Sequence, residues 1–208
     1  KSAPDGSFAV AGRRIGPGAP IFVIAEIGIN HNQDLDLARA LIDAAAAAGC
    51  DAAKFQTFTA DALYIDRAKA GSYSLMGKKI PIYDLHVGLE MPDSWIPELM
   101  RHCKKRGVLF FSTPVDARSA DRLDRAGVGL YKVSSYDMTN ILLVRHLARK
   151  GKPVIFSPGA AALGEVEETA GVFEAAGTPY AILHCVAKYP APFANANLGV
   201  VGTLRSAF

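Results

Sequence analysis

Apolar residues along the chain fall into short, nearly unbroken runs. These alternate with longer stretches in which apolar positions recur every three to four residues. The runs are IFVIAEIG (21–28), DAAKFQTF (51–58), VLFFSTP (108–114), LYKVSS (130–135), PVIFSPG (153–159) and YAILHCV (180–186). Most are continuous enough to read as parallel strands covered on both faces. Between them, DLARALIDAAAAAG, SWIPELMRHCKKRG, SADRLDRAG, NILLVRHLARKG and EVEETAGVFEAAG read as helices, each closed by a glycine. Asp93-Ser94 and Thr139-Asn140 are the expected N-caps of two of them. The helix over 139–151 is expected to bury Ile141, Leu142, Val144 and Leu147, with His146 structural or exposed. FAVAGRRIG predicts a hairpin ahead of the first strand, placed to plug the bottom of a barrel. Residues 59–92 form a long connection without strong periodicity, of the kind that serves as a lid or binding loop.

Six strand–helix steps without a domain break admit two α/β architectures, a closed barrel or an open doubly wound sheet. The first strand–helix turn, EIGINHNQD, lacks the G-x-G-x-x-G dinucleotide pattern, and no P-loop occurs in the chain. Polar residues gather instead at the C-terminal ends of the strands. They are Glu26 and Asn30-His31, Lys54 and Gln56, Ser112-Thr113, Lys132 and Ser134-Ser135, Ser157, and His184 to Tyr189. In a barrel those ends share one mouth, where active sites are built. The expected fold is therefore an α/β TIM (β/α)8 barrel, with only about the first six βα units in this chain.

Composition narrows the picture further. Half of the 208 residues are hydrophobic and 21% are charged, enough for one sizeable core. No apolar run is long enough to span a membrane, and KSAPDGSFAVAGRRIGPG lacks the apolar centre of a secretory signal. A net charge of +3 gives no nucleic-acid footprint; the run HCKKRG at 102–107 reads as a solvated helix end. Cys50, Cys103 and Cys185 are widely spaced, neither a zinc pattern nor a disulfide framework, and point to free thiols in a reducing cytoplasm.

Two lysines, Lys54 and Lys132, lie inside apolar strands, where an ammonium group is costly unless it meets an anion or loses its charge. Three readings stand side by side. Either lysine forms a buried ion pair with Glu26; both, with the hydroxyls of Ser112, Thr113, Ser134, Ser135 and Ser157, form a site for a phosphate and a carboxylate; or one is a Schiff-base nucleophile. Glu26 is either an ion-pair partner or an acid/base or sugar-hydroxyl ligand. Gln56 alternates with Lys54 and points to the same side of its strand. His31 reads either as an oxyanion-stabilising group or as an ordinary surface residue.

FVIAEIGINHNQDLDLARALIDAAAAAGCDAAKFQTF resembles the start of the sialic acid synthase family, which includes N-acetylneuraminate synthases and spore-coat polysaccharide relatives. FFSTPVD (110–116), YKVSSYDMTN (131–140), the Ser-x-Gly at 157–159 and ILHCVAKYPAPF with NL (182–198) continue the resemblance in order, over nearly the whole chain. The resemblance implies a TIM barrel that condenses phosphoenolpyruvate with an N-acyl mannosamine-type sugar, giving a sialic acid-like nonulosonic acid and releasing phosphate. It implies that Lys54, Thr113, Lys132, Ser135 and Ser157 bind phosphoenolpyruvate, that Glu26, Gln56 and Tyr189 orient the sugar, and that Glu26 takes part in catalysis. It further implies a divalent metal (Mn or Mg), small-molecule substrates rather than nucleic acid or membrane, a homodimer, and a cytoplasmic location.

The sequence also departs from the family pattern. Val186-Ala187 stand where two small polar residues are usual, and Ser157-Pro158-Gly159-Ala160 replaces Ser-Thr-Gly-Met. GKKIPIYDL lacks the asparagine that touches the sugar's acyl group. The two histidines that bind the metal in the family belong to strands seven and eight, so no metal ligand is assigned here. The expectation is that residues 1–208 are the N-terminal part of a synthase-type barrel, with no C-terminal antifreeze-like domain. The alternatives are a truncated, non-catalytic barrel acting as a binding or assembly module, and a Schiff-base aldolase using Lys132 or Lys54.

Overall fold

The computed structural model describes residues 5–75 and 78–208. Residues 1–4 of the KSAPDGSF stretch, and Gly77 of GKKIPIYDL, lie outside the described residues. The first half of the chain forms β1 (Phe8–Val10), β2 (Arg13–Ile15), β3 (Ile24–Gly28), α1 (Leu35–Ala47), β4 (Ala52–Thr57), α2 (Ala60–Leu63), β5 (Ser72–Leu75), β6 (Lys78–Pro81) and α3 (Ile82–Val87). The second half forms α4 (Trp95–Arg106), β7 (Leu109–Pro114), α5 (Ala117–Ala126), β8 (Tyr131–Val133), α6 (Ile141–Ala148), β9 (Val154–Phe156), α7 (Leu163–Ala175), β10 (Tyr180–Ile182) and α8 (Gly199–Ala207). Residues Ile21–Val128 make one unit; the described residues up to Pro20, with Gly129–Phe208, make another.

In the Ile21–Val128 unit, β4 lies between β3 and β7, and both pairings are parallel. Ala52, Ala53 and Phe55 of β4 are buried, as a central strand covered on both faces requires. The register sets Lys54 opposite Phe111 and Gln56 opposite Thr113, so Lys54, Gln56 and Thr113 share one face of the sheet. Phe55, Thr57, Phe110 and Ser112 share the other face. There the Phe55 and Phe110 rings stack with centroids 5.1 Å apart, and the Thr57 and Ser112 hydroxyls are hydrogen-bonded at 2.7 Å. Asp34 caps α1, accepting from the backbone N–H groups of Asp36 and Leu37, and α1 buries Ala38, Ile42 and Ala45 at helical spacing. Gly107 and Gly127 close α4 and α5 in the left-handed conformation that the sequence predicts. Ser94 stands at the N-cap of α4 without a side-chain cap bond, and Asp93 instead pairs with Arg122 at 2.5 Å. The connection over 59–92 holds more structure than its weak periodicity suggested: α2, the antiparallel pair β5–β6, and α3.

In the other unit β1 and β2 form the expected hairpin. β9 lies between β8 and β10 in parallel register. Six parallel strands, three in each unit, thus alternate with helices in an α/β fold. β8, β9 and β10 are shorter than their apolar runs, because Ser134-Ser135, Ser157–Gly159 and Leu183–Val186 turn away at the C-terminal ends. Pro158 has no N–H to extend a ladder, and Ser134 bonds locally, to Asp137. Asn140 caps α6 as expected, accepting from the Leu143 N–H. The expected stripe of that helix needs one correction. Leu142 is 79% exposed, and Leu143, Val144, Leu147 and Ala148 form the buried face. Positions 143, 144, 147 and 148 follow the i, i+1, i+4, i+5 spacing of a single helix face, which Leu142 leaves.

His31 is buried without exposure, against Phe55 (centroids 6.4 Å) and edge-on to Trp95 (5.6 Å), so it is not a surface residue. The Gln33 backbone N–H donates to its Nδ1 at 3.1 Å, so the neutral ring carries its proton on Nε2, which has no partner among the described residues. Burial holds its pKa below the ordinary 6.5, because the charged form loses hydration. The folded state therefore favours the neutral ring. Stability is undiminished above pH 6.5 and declines as pH falls from there toward the lower folded pKa. Urea unfolding at about pH 5 and about pH 8 is expected to show a larger stability loss on acidification for wild-type protein than for His31→Phe. Equal losses would show that the ring titrates as it does in the unfolded chain.

Candidate active site

A charged side chain in an apolar strand needs a partner, and β3 supplies it. Glu26 stands opposite Lys54 in the β3–β4 register, and the two form an ion pair. The Lys54 side chain is only 13% exposed while that of Glu26 is 48% exposed, so the ammonium is sheltered and the carboxylate reaches toward solvent. Lys54 Nζ also approaches Thr113 Oγ1 at 3.5 Å. The register shifts between Glu26 and Gly28, the signature of a β-bulge, which re-aims side chains near sites. Gly28 has φ +56°, and a Cβ there would fall 2.9 Å from Glu26 Oε1 and 3.4 Å from Gln56 Nε2. The Glu26 carboxylate and the Gln56 amide thus converge over a position that only glycine can occupy without strain. The structure gathers Glu26, Lys54, Gln56 and Thr113 on one face of this unit. His31 lies apart in the aromatic core, and Asn30 folds its amide onto the Ile27 carbonyl at 3.0 Å.

The second unit holds its own polar cluster. Lys132 on β8 is buried, and its Nζ donates to the Val133 carbonyl at 2.5 Å. Asp137 accepts from the Ser134 hydroxyl at 2.6 Å. Burial pushes the Asp137 carboxyl above its ordinary 3.8, while the Ser134 hydrogen bond and the Lys132 charge pull it back. Ser157 is buried just past β9, with its backbone N–H on the Val133 carbonyl at 3.3 Å. Ser135 Oγ accepts from the Gly159 N–H at 3.2 Å and lies 3.0 Å from Cys185 Sγ.

Tyr189 is 92% exposed and takes no part in these hydrogen bonds. Past β10, the structure puts a ring nitrogen of His184 2.5 Å from the Ala196 carbonyl oxygen and turns the Cys185 thiol onto Ser135. The sequence groups Cys185 with the polar residues at 184–189 but assigns it no role in the site. Its contact with Ser135 appears only in the structure. Cys103 is different: deep burial in α4 pushes its thiol up to about 12, so it stays protonated and inert.

A Cβ on Gly159 would fall 2.5 Å from Cys185 Sγ, 3.0 Å from the Cys185 carbonyl oxygen and 3.0 Å from Ser135 Oγ. Gly159→Ala therefore overpacks the cluster and is expected to cost about 2 kcal/mol of stability, read as a lower urea midpoint. An unchanged midpoint would show that Cys185 moves aside freely.

Comparison with known proteins places this geometry. The model described as the NeuB family matches residues 41–208. The Bacillus subtilis (strain 168) spore coat polysaccharide biosynthesis protein SpsE is 43% identical over 204 residues, covering 97% of this chain and 54% of that protein. The Campylobacter jejuni N,N'-diacetyllegionaminic acid synthase is 38% identical over 191 residues, covering 89% of this chain and 57% of that protein. Among solved structures, the N-acetylneuraminic acid (sialic acid) synthetase of Leptospira borgpetersenii in complex with citrate matches with a TM-score of 0.89 at 32% identity, over 97% of this chain and 67% of that one. The chain spans about half the length of the curated relatives it matches. A family match that runs through most of the chain, from α1 to its last residue, establishes that the chain belongs to the NeuB family.

Proposed function

We propose that this chain is the N-terminal part of a TIM-barrel synthase that condenses phosphoenolpyruvate with an N-acyl mannosamine-type sugar. The products in this reading are a sialic acid-like nonulosonic acid and phosphate. The observation that carries it is the Glu26–Lys54 ion pair, with Gln56 and Thr113 on the same sheet face, in a chain of the NeuB family. A packed core has no need of a sheltered ammonium, whereas an anionic substrate does. Lys54 and Thr113 are anion ligands in this reading, and so are Lys132, Ser135 and Ser157. Glu26, Gln56 and Tyr189 contact the sugar.

The chemistry assigns work to these groups. Carbon–carbon bond formation joins the enol carbon of phosphoenolpyruvate to the open-chain aldehyde, whose oxygen gains charge and takes a proton. Water then adds to the cationic carbon that bears the phosphate, losing one proton; the resulting hydroxyl becomes the product's carbonyl as the carbon–oxygen bond to phosphate breaks, and its proton leaves with the phosphate. Glu26 is exposed enough to reach substrate, and its pairing with Lys54 keeps an acid/base group beside the anion site. Lysine ammonium groups and serine or threonine hydroxyls offset the charge of the phosphate and carboxylate.

The Mn or Mg ion that the family resemblance implies finds no fit among the described residues. Among the described residues no group of three or more His, Cys, Asp or Glu side chains is arranged to hold a metal ion. No step is therefore assigned to one. No helix among the described residues is long and apolar enough to cross a membrane. A cytoplasmic homodimer acting on small molecules completes the reading, and the modest net charge of +3 fits small-molecule substrates rather than nucleic acid.

Incubation of the intact protein with phosphoenolpyruvate and N-acyl mannosamine-type sugars is expected to release inorganic phosphate and a nonulosonic acid detectable by mass spectrometry. Absence of phosphate release with every such sugar overturns the reading. Glu26→Gln is expected to lower kcat about a hundredfold or more, with a smaller effect on phosphoenolpyruvate binding; full turnover would remove Glu26 from catalysis.

A further inference from the structure

Ser135 Oγ lies between two neighbours that compete for its lone pairs. The Gly159 backbone N–H occupies one lone pair at 3.2 Å, and Cys185 Sγ sits 3.0 Å away. A serine oxygen has two lone pairs and a single proton. If the thiol donates, both lone pairs are used, and the Ser135 O–H is left to point at an incoming acceptor. If the thiol accepts, the serine proton is spent on sulfur, and the hydroxyl has one lone pair and no proton to offer a ligand. An anion such as phosphate or carboxylate only accepts, so it selects the first arrangement.

The backbone holds the thiol where this choice matters. No side chain at 159 intervenes, since a Cβ there would overlap Cys185 Sγ and crowd Ser135 Oγ. The thiol is half-buried, on the loop that follows β10. We propose that Cys185 is a positioning residue whose S–H, donated to Ser135 Oγ, commits the Ser135 hydroxyl to donate to the anionic substrate. This rests on the phosphoenolpyruvate reading above and adds to it a residue that makes no substrate contact.

Two variants and one ligand-free measurement test it in the intact protein. Cys185→Ser retains a donor at the γ position, whereas Cys185→Ala, close to serine in volume, has none. Calorimetric titration with phosphoenolpyruvate is expected to show about fivefold weaker binding for Cys185→Ala, with Cys185→Ser within about twofold of wild type. A packing role predicts the reverse order, because serine brings an added polar group into the site and alanine does not. Wild-type affinity in Cys185→Ala overturns the proposal, as does binding by Cys185→Ser that is no better than that of Cys185→Ala.

The ligand-free readout is the S–H stretching band of Cys185, isolated as the infrared difference between wild type and Cys185→Ser. Donation to Ser135 displaces the band to lower frequency, and Ser135→Ala returns it to the position of a free thiol. A band already at the free position in wild type overturns the proposal whether or not phosphoenolpyruvate binds. A displaced band in a wild-type protein that binds no phosphoenolpyruvate overturns the substrate reading instead, and supports the thiol as the donor to Ser135.

Discussion

The pairing of Lys54 with Glu26 is the interaction around which the Ile21–Val128 unit is arranged. An ammonium group in the central strand of a parallel sheet is tolerated only where a carboxylate meets it, because its lost hydration must be offset. The parallel register of β3 and β4 brings Glu26 opposite Lys54, and the bulge that follows leaves Gly28 beside the pair. A glycine is needed there, since any Cβ would press on the carboxylate itself. Register, bulge and glycine therefore form one device that keeps a charged pair at the end of an apolar strand.

The Gly129–Phe208 segment meets a similar need differently. Lys132 is buried, and its ammonium group is met by the Val133 carbonyl and by the field of Asp137. Hydrogen bonds also join the strand ends that follow, with the Ser134 hydroxyl on Asp137 and the Gly159 N–H on Ser135. Hydroxyl groups change partners at little cost, because each both donates and accepts. The thiol of Cys185 extends this network to a third strand end.

Membership of the NeuB family gives these clusters their context, and the departures from the family pattern fall at particular places. Val186 and Ala187 follow Cys185 directly, on the loop that carries the thiol past Ser135. With apolar side chains at those two positions, the polar side chains of this stretch are His184, Cys185 and the exposed Lys188 and Tyr189. That concentrates interest on the Ser135–Gly159–Cys185 contact, where a substitution one atom in size changes the donor set.

The order of strands and helices was legible in the sequence because parallel strands buried on both faces need unbroken apolar runs, and amphipathic helices need a period near 3.6. Glu26, Lys54, Gln56, Thr113, Lys132, Ser135 and Ser157 could be singled out as polar residues where an apolar pattern should continue. Other features depended on three dimensions. Leu142 and Leu143 are both apolar, and only the packing of α6 decides which is buried. His31 looked like a loop residue, yet the turn after β3 folds it beneath Phe55 and Trp95. The contact of Cys185 with Ser135 has no sign in the sequence, because the two are fifty positions apart. Local pattern records what a residue costs to bury, and so determines elements and anomalies; which distant group compensates that cost is decided by strand register and by where loops turn.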